Sequence, residues 1–161
     1  MTKITLPDGK VLDFEAPVTP RDVAERIGPR LAKSAVAARA NGAIVELDRP
    51  IGGDTAIEIL TDSDPAALDV LRHSAAHVLA TAVRQIWPDA GIGFGPAIAD
   101  GFYYDFDVDE PFTPEDLAAI EAKMQEVAAA AYPFERRVVD KEEARTLFAD
   151  DPLKLERLEE L

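Results

Sequence analysis

Short alternating runs of apolar and polar residues occupy the first sixty positions of the chain. Lys3–Leu6 and Lys10–Phe14 read as strands, joined by the turn residues Pro7-Asp8-Gly9. Thr19-Pro20-Arg21-Asp22 has the grammar of a helix start: a capping hydroxyl, a proline at the first helical position and an acid three residues on. That helix, Arg21–Ile27, stops at Gly28-Pro29. Ala35–Ala40 and Ala43–Leu47 flank Asn41-Gly42, the strongest two-residue hairpin signal. Gly52-Gly53-Asp54 leads into Ala56–Leu60, with Ile57 and Ile59 on one face. The order ββ-α-ββ-β predicts a β-grasp, ubiquitin-like unit over residues 1–62.

From residue 63 the period changes. Asp64 caps a long helix with Pro65 at its first position. Leu68, Leu71, Ala75, Val78, Leu79, Ala82 and Ile86 form its expected apolar stripe, and Trp87-Pro88 ends it. Gly91–Ile98 and Phe102–Val108 read as two strands around an Asp100-Gly101 turn, with Phe102, Tyr104, Phe106 and Val108 sharing a face. Thr113-Pro114-Glu115-Asp116 repeats the helix-start grammar, and Leu117, Ile120, Met124 and Val127 are expected to point inward. Phe134–Val139 reads as a strand, Asp140 caps a short helix through Phe148, and Asp151-Pro152 opens a last charged segment. The expectation is an α+β chain of two parts, residues 1–62 and 63–161, with neither repeats nor low-complexity tracts.

Charge and composition narrow the function. Residues 1–62 hold 8 Lys/Arg against 10 Asp/Glu, and residues 63–161 hold 9 against 21, so the −14 of the whole chain sits almost entirely in the second part. Broad nonspecific nucleic-acid binding requires clustered cations, so any RNA contact is local and DNA is not an expected partner. With no cysteine, disulfides and thiolate metal sites are excluded within these residues. The first residues lack a signal peptide's apolar run, and no stretch approaches a membrane span, so a cytoplasmic protein without a membrane partner is expected.

The candidate chemistry lies in Arg72-His73-Ser74-Ala75-Ala76-His77. His73 and His77 are the only histidines, one helical turn apart and on the side roughly opposite the apolar stripe. Such a pair can orient and deprotonate water at neutral pH or grip a metal; it can equally be two solvated side chains. Zinc needs three or four ligands, and neither a cysteine nor a third histidine is present. The Gly91-Ile92-Gly93-Phe94-Gly95 run follows a helix and opens none, so it is not a dinucleotide fingerprint; close backbone packing outranks a ligand there. Tyr104 reads first as a strand residue and Lys154 as a solvated salt-bridge partner.

Three blocks in order carry a resemblance that the spacings alone do not: Arg72–His77, Gly95-Pro96-Ala97-Ile98-Ala99-Asp100-Gly101-Phe102-Tyr103-Tyr104-Asp105-Phe106, and Asp151-Pro152-Leu153-Lys154-Leu155-Glu156. With the β-grasp-like unit before them, they resemble the N-terminal region of the bacterial threonyl-tRNA synthetase family: a TGS domain followed by the first part of the editing domain. The resemblance implies an enzyme that ligates threonine to its tRNA using ATP and hydrolyses tRNA mis-acylated with serine. It implies catalytic roles for His73, His77 and Lys154, and a substrate pocket lined by Gly95 and Tyr104. Two further site positions, a Cys-x-x-x-His motif in that family, are absent from this chain. Alanyl-type editing domains hold zinc at the four positions, whereas the threonyl version works without it, so no metal is expected at His73 and His77.

ATP, magnesium and a zinc belong to the family's catalytic core, which is not in this sequence, so no cofactor is expected here. The implied partners are the acceptor end of tRNA and, for the parent enzyme, a second copy in a homodimer. On this reading the chain is a fragment, inactive by itself in aminoacylation and editing, whose residues 63–161 form an incomplete layer that exposes apolar surface or pairs with another copy. Two alternatives stand beside it: a non-catalytic TGS-type adaptor for RNA or protein, and a freestanding zinc-dependent trans-editing deacylase.

Overall fold

The computed structural model describes residues 1–15, 17–133 and 136–160, and is a mixed α+β chain. It divides into two compact units, Met1–Leu71 and Arg72–Leu161.

In the first unit, β1 (Thr2–Thr5) and β2 (Val11–Phe14) form a hairpin, with Ile4 opposite Leu12. Helix α1 (Pro20–Ile27) begins at Thr19, whose hydroxyl accepts the Asp22 N–H while Asp22 accepts the Thr19 N–H, a complete capping box. The sequence marks Gly28-Pro29 as a stop, but the same two residues start a second helix, α2 (Pro29–Ser34). Gly28 N–H closes α1 on the Ala24 carbonyl, and Gly28 O receives the first bond of α2 from Ala32. Proline's missing N–H is harmless at a first helical position, so a terminator doubles as an initiator. Strands β3 (Ala35–Ala40) and β4 (Ala43–Val45) turn at Asn41-Gly42, both at positive φ (47° and 88°) as the tight hairpin requires.

Strand β5 (Thr55–Thr61) then enters between β1, to which it runs parallel, and β3, giving the order β2-β1-β5-β3-β4. Ile4, Val18, Val23, Ala38, Ile51 and Ile57 form the core on the α1 face, with Ile59 packed at its edge. An irregularity between Ala35 and Ala37 sets Ala37 opposite Leu60, and both are buried in a second cluster with Ala67. Ala67 belongs to the first turns of α3 (Pro65–Ile86), so the start of this helix covers that cluster. Asp64 precedes α3; its Oδ2 accepts from the Thr61 N–H and hydroxyl at 2.6 and 2.9 Å.

In the second unit the remainder of α3 buries Ala76, Ala80, Ala82 and Val83. The expected stripe is therefore only partly right: Leu68 and Leu71 are 41% and 38% exposed, while alanines beside the histidines are covered. Periodicity fixes which residues share a face but not which face meets a neighbour, and small residues permit the closest backbone approach.

The two expected strands after α3 form a broken hairpin. Outer strands β6 (Gly91–Ile92) and β9 (Phe106–Asp107) pair, as do inner strands β7 (Ala97–Ile98) and β8 (Gly101–Phe102). The two-residue turn is Ala99-Asp100, one position earlier than expected, because Ile98 pairs with Gly101. Helix α4 (Pro114–Ala130) starts with a second complete capping box, Thr113 and Asp116. It buries Ile120 and Val127 and packs Met124 against the core, whereas Leu117 is 58% exposed and not inward as expected.

Arg136–Val139 form no strand, and the first two residues of that expected strand, Phe134 and Glu135, lie outside the described residues. Helices α5 (Lys141–Leu147) and α6 (Pro152–Glu159) are capped by Asp140 and Asp151. Among the described residues no helix is long and apolar enough to cross a membrane.

Ile57→Ala is expected to cost about 2–5 kcal/mol, read from urea unfolding of the first unit. A polypeptide of residues 1–71 is expected to unfold cooperatively and to be more stable than one ending at Asp62 by about 1–2 kcal/mol, because Ala67 and Val70 no longer cover Ala37 and Leu60 in the shorter one. Equal midpoints for the two lengths would contradict the covering role of α3.

Candidate functional site

One turn of α3 brings His73 and His77 into direct contact. Their Nε2 atoms are 2.9 Å apart and the rings meet edge to face, centroids 4.5 Å apart and planes at 82°. At that distance one neutral imidazole donates its Nε2–H to the bare Nε2 of the other. The His77 pKa is lowered from the ordinary imidazole value, first by burial and then by the charges of His73 and Lys154. His77 is therefore neutral at pH 7 and able to accept a proton.

A cavity of about 790 Å³ opens in front of the pair. His73, His77, Gly95, Tyr104 and Lys154 all line it, so the structure gathers every site residue expected from the sequence around one space. Each arrives from a different local cause. Gly95 lies directly against the Tyr104 ring: a Cβ there would meet the ring carbons at 2.0, 2.3 and 2.8 Å. Gly93 is similarly tight, since a Cβ there would lie 2.8 Å from the Asp105 carbonyl oxygen, to which Gly93 donates its N–H. These glycines thus serve close packing of the cavity wall. The Tyr104 ring stacks on Phe106 (5.0 Å, 21°), and its pKa is raised by burial and then by the charge of Asp151.

Lys154 reaches the cavity from the first turn of α6. Its ammonium lies 2.9 Å from Asp151 Oδ2 and 5.3 Å from the centre of the Phe148 ring. Burial alone would push the Asp151 pKa up, but the hydrogen bonds and charge of Lys154, with Arg84 beyond it, hold it below the ordinary value. The pair is unlike a fully solvated salt bridge, since the Asp151 side chain is only 13% exposed. Asp151, Phe148 and Arg157 also shape this region, and sequence pattern does not single them out. The one signal at Asp151 is its helix-cap position before Pro152, which points to folding and says nothing of a cavity.

The arrangement offers a neutral proton acceptor, a fixed cation and a phenol around one space, a set suited to directing water at an electrophile whose oxygen gains charge. A zinc site fits these residues poorly: among the described residues no group of three or more His, Cys, Asp and Glu side chains converges to hold a metal ion.

Residues 2–61 match the TGS domain family. Over nearly its whole length the chain is similar to threonine–tRNA ligases. It is 50% identical over 150 residues to that of Granulibacter bethesdensis (93% of this chain, 23% of the relative). It is 51% identical over 148 residues to that of Methylococcus capsulatus (92% and 23%), and 47% over 161 residues to that of Rubrobacter xylanophilus (100% and 25%). The chain spans about a quarter of the length of the curated relatives it matches.

Gly95→Ala is expected to displace the Tyr104 ring from the cavity wall and to cost about 1–3 kcal/mol, visible as loss of the Tyr104 ring resonances' native shifts together with a lower unfolding midpoint. The lowered His77 pKa also fixes the sign of a pH dependence. Above the unfolded value near 6.5 the ring is neutral in both states and costs nothing. As pH falls through 6.5 the unfolded chain takes up the proton first, so stability declines until the lower folded pKa is passed. Unfolding midpoints measured from pH 8 to 5 should fall less steeply in His77→Gln than in the native chain.

Proposed function

We propose that this chain is the TGS and editing-site portion of a threonine–tRNA ligase, and that the cavity before His73 and His77 hydrolyses tRNA wrongly charged with serine. The first unit is then the β-grasp TGS domain and the second the leading part of an editing domain. The parent enzyme's ATP, magnesium and zinc serve its aminoacylation core. The observation that carries the reading is the imidazole pair, 2.9 Å between Nε2 atoms, facing a cavity also lined by Lys154 and Tyr104. Similarity to threonine–tRNA ligases along the same residues supports it.

In this mechanism the neutral His77 imidazole, in contact with His73, takes a proton from water as the water oxygen attacks the ester carbonyl carbon of the seryl group. Charge develops on the carbonyl oxygen, and the Lys154 ammonium stabilises it. The carbon–oxygen bond to the ribose then breaks, the imidazole returns its proton to the ribose oxygen, and free serine and uncharged tRNA leave. No covalent enzyme intermediate is needed, because the aminoacyl ester is already activated. The selective pressure is physical: a single methyl distinguishes threonine from serine, worth about 1–3 kcal/mol in one pocket, so a second hydrolytic sieve is required for high fidelity.

The test uses the complete ligase. His73→Ala and His77→Ala are each expected to slow deacylation of seryl-tRNA by about 100-fold or more while leaving threonylation unchanged. The 161-residue chain alone is expected to deacylate negligibly. Undiminished seryl-tRNA hydrolysis in both variants of the full enzyme would overturn the proposal.

A further inference from the structure

We propose that Asp151 is a positioning residue for Lys154, its two carboxylate oxygens dividing the work: Oδ1 closes the first turn of α6 and Oδ2 fixes the ammonium on the cavity wall that faces the imidazole pair. The catalytic consequence rests on the hydrolytic reading above; the positioning itself is a property of this chain.

The geometry is specific to each oxygen. Oδ1 accepts the backbone N–H of Lys154 at 3.2 Å, the N-cap bond of α6, and Oδ2 holds the Nζ of the same residue at 2.9 Å. Asp151 thus grips one lysine at both ends, backbone and head. A lysine head on a flexible four-carbon stem has no preferred place unless something supplies one. Here the carboxylate supplies it from one side and the Phe148 ring, 5.3 Å from Nζ, from another.

Exposure separates this pair from an ordinary surface contact. The Lys154 side chain is 42% exposed and reaches the cavity, while Asp151 is 13% exposed, so the anion is the anchored partner and the cation the presented one. The other cation on this helix face, Arg157, is engaged by Glu160 and rests near Phe94 instead. The charged and titratable groups around the pair come from every packed element: His73, His77 and Arg84 on α3, Tyr104 and Asp105 on the hairpin, Arg157 and Glu160 at α6. Lys154 acts on His77 and Asp151 acts on Tyr104, so the pair's charges are felt on both sides of the cavity.

Asp151→Asn tests the division of labour, because asparagine keeps an oxygen for the cap but cannot accept from the ammonium with its amide nitrogen. In the 161-residue chain, the Lys154 Hε resonances should carry an upfield ring-current shift from Phe148. That shift should vanish in Asp151→Asn while the unfolding midpoint stays close to native; Asp151→Ala should lose both. As a second measurement, Lys154→Gln should raise the Asp151 titration midpoint followed at its carboxyl carbon. An unchanged Lys154 Hε shift in Asp151→Asn, or an Asp151 titration that ignores Lys154→Gln, would overturn the positioning role.

In the complete ligase, Asp151→Asn should slow seryl-tRNA hydrolysis about tenfold or more with KM for the tRNA and threonylation unchanged, and should add nothing in a Lys154→Gln background. An equally large additional loss in that background would show that Asp151 acts other than through Lys154. Should both His73→Ala and His77→Ala leave hydrolysis intact, the hydrolytic reading fails, while the resonance and titration measurements still decide the positioning role.

Discussion

A Cβ at position 95 would sit 2.0 Å from the Tyr104 ring, so the cavity wall closes only because Gly95 carries no side chain. The constraint repeats along the strand. Cβ atoms at Gly91 and Gly93 would come within 2.9 Å of Asp107 Cβ and 2.8 Å of the Asp105 carbonyl. Three glycines at alternate positions lie on one side of an extended segment, the side turned toward the other limb. Along its own limb Tyr104 stacks on Phe106, which meets Phe112 at 5.8 Å, which in turn meets Trp87 at 5.1 Å. The tyrosine in the cavity is thereby tied through a chain of aromatic contacts to the Val83–Ala90–Ile120 core. Rigidity at the site comes from packing well behind it.

The opposite wall depends on small residues for a related reason. Ala76 and Ala80 are buried beside the two histidines, so neighbouring segments approach this side of α3 closely. The imidazoles themselves are exposed beside that covered surface, and the desolvation His77 does undergo is the first cause of its lowered pKa. Electrostatics sets the same region apart. Residues 63–161 carry 21 acids against 9 Lys/Arg, so the cations lining the cavity, Lys154 and Arg157, stand out locally against an acidic background.

Features set by neighbouring residues are readable from the sequence. Thr19 with Asp22 and Thr113 with Asp116 are complete capping boxes, and Asn41-Gly42 makes the expected hairpin turn, because each is decided within four residues. What pattern misplaces depends on partners far along the chain. Size favours Leu68 and Leu71 for the α3 stripe, yet the faces that find neighbours are lined by Ala67, Ala76 and Ala80. Spacing alone points Leu117 inward, and it is exposed. Helix α2 escapes a reading in which Gly28-Pro29 acts in one direction only. At the site, Gly95, Tyr104 and Lys154 follow from resemblance, and nothing in their local spacing announces that a hairpin and two helices bring them to one cavity.

Asp151 illustrates how folding and chemistry come to share a residue. A helix start needs an acceptor for its orphan N–H groups, and aspartate meets that need with one oxygen, leaving the second free. Serine or threonine would cap equally well and leave nothing over. Where the capped N–H belongs to a lysine, the spare oxygen lies within reach of that lysine's own head, and the cap becomes a clamp without ordering any further residue. The cation is then placed by the same carboxylate that begins the helix, one oxygen serving the helix start and the other the ammonium. A site built this way gives one side chain two separable duties, so the charge geometry at the cavity can be lost at one oxygen while the helix start is kept by the other.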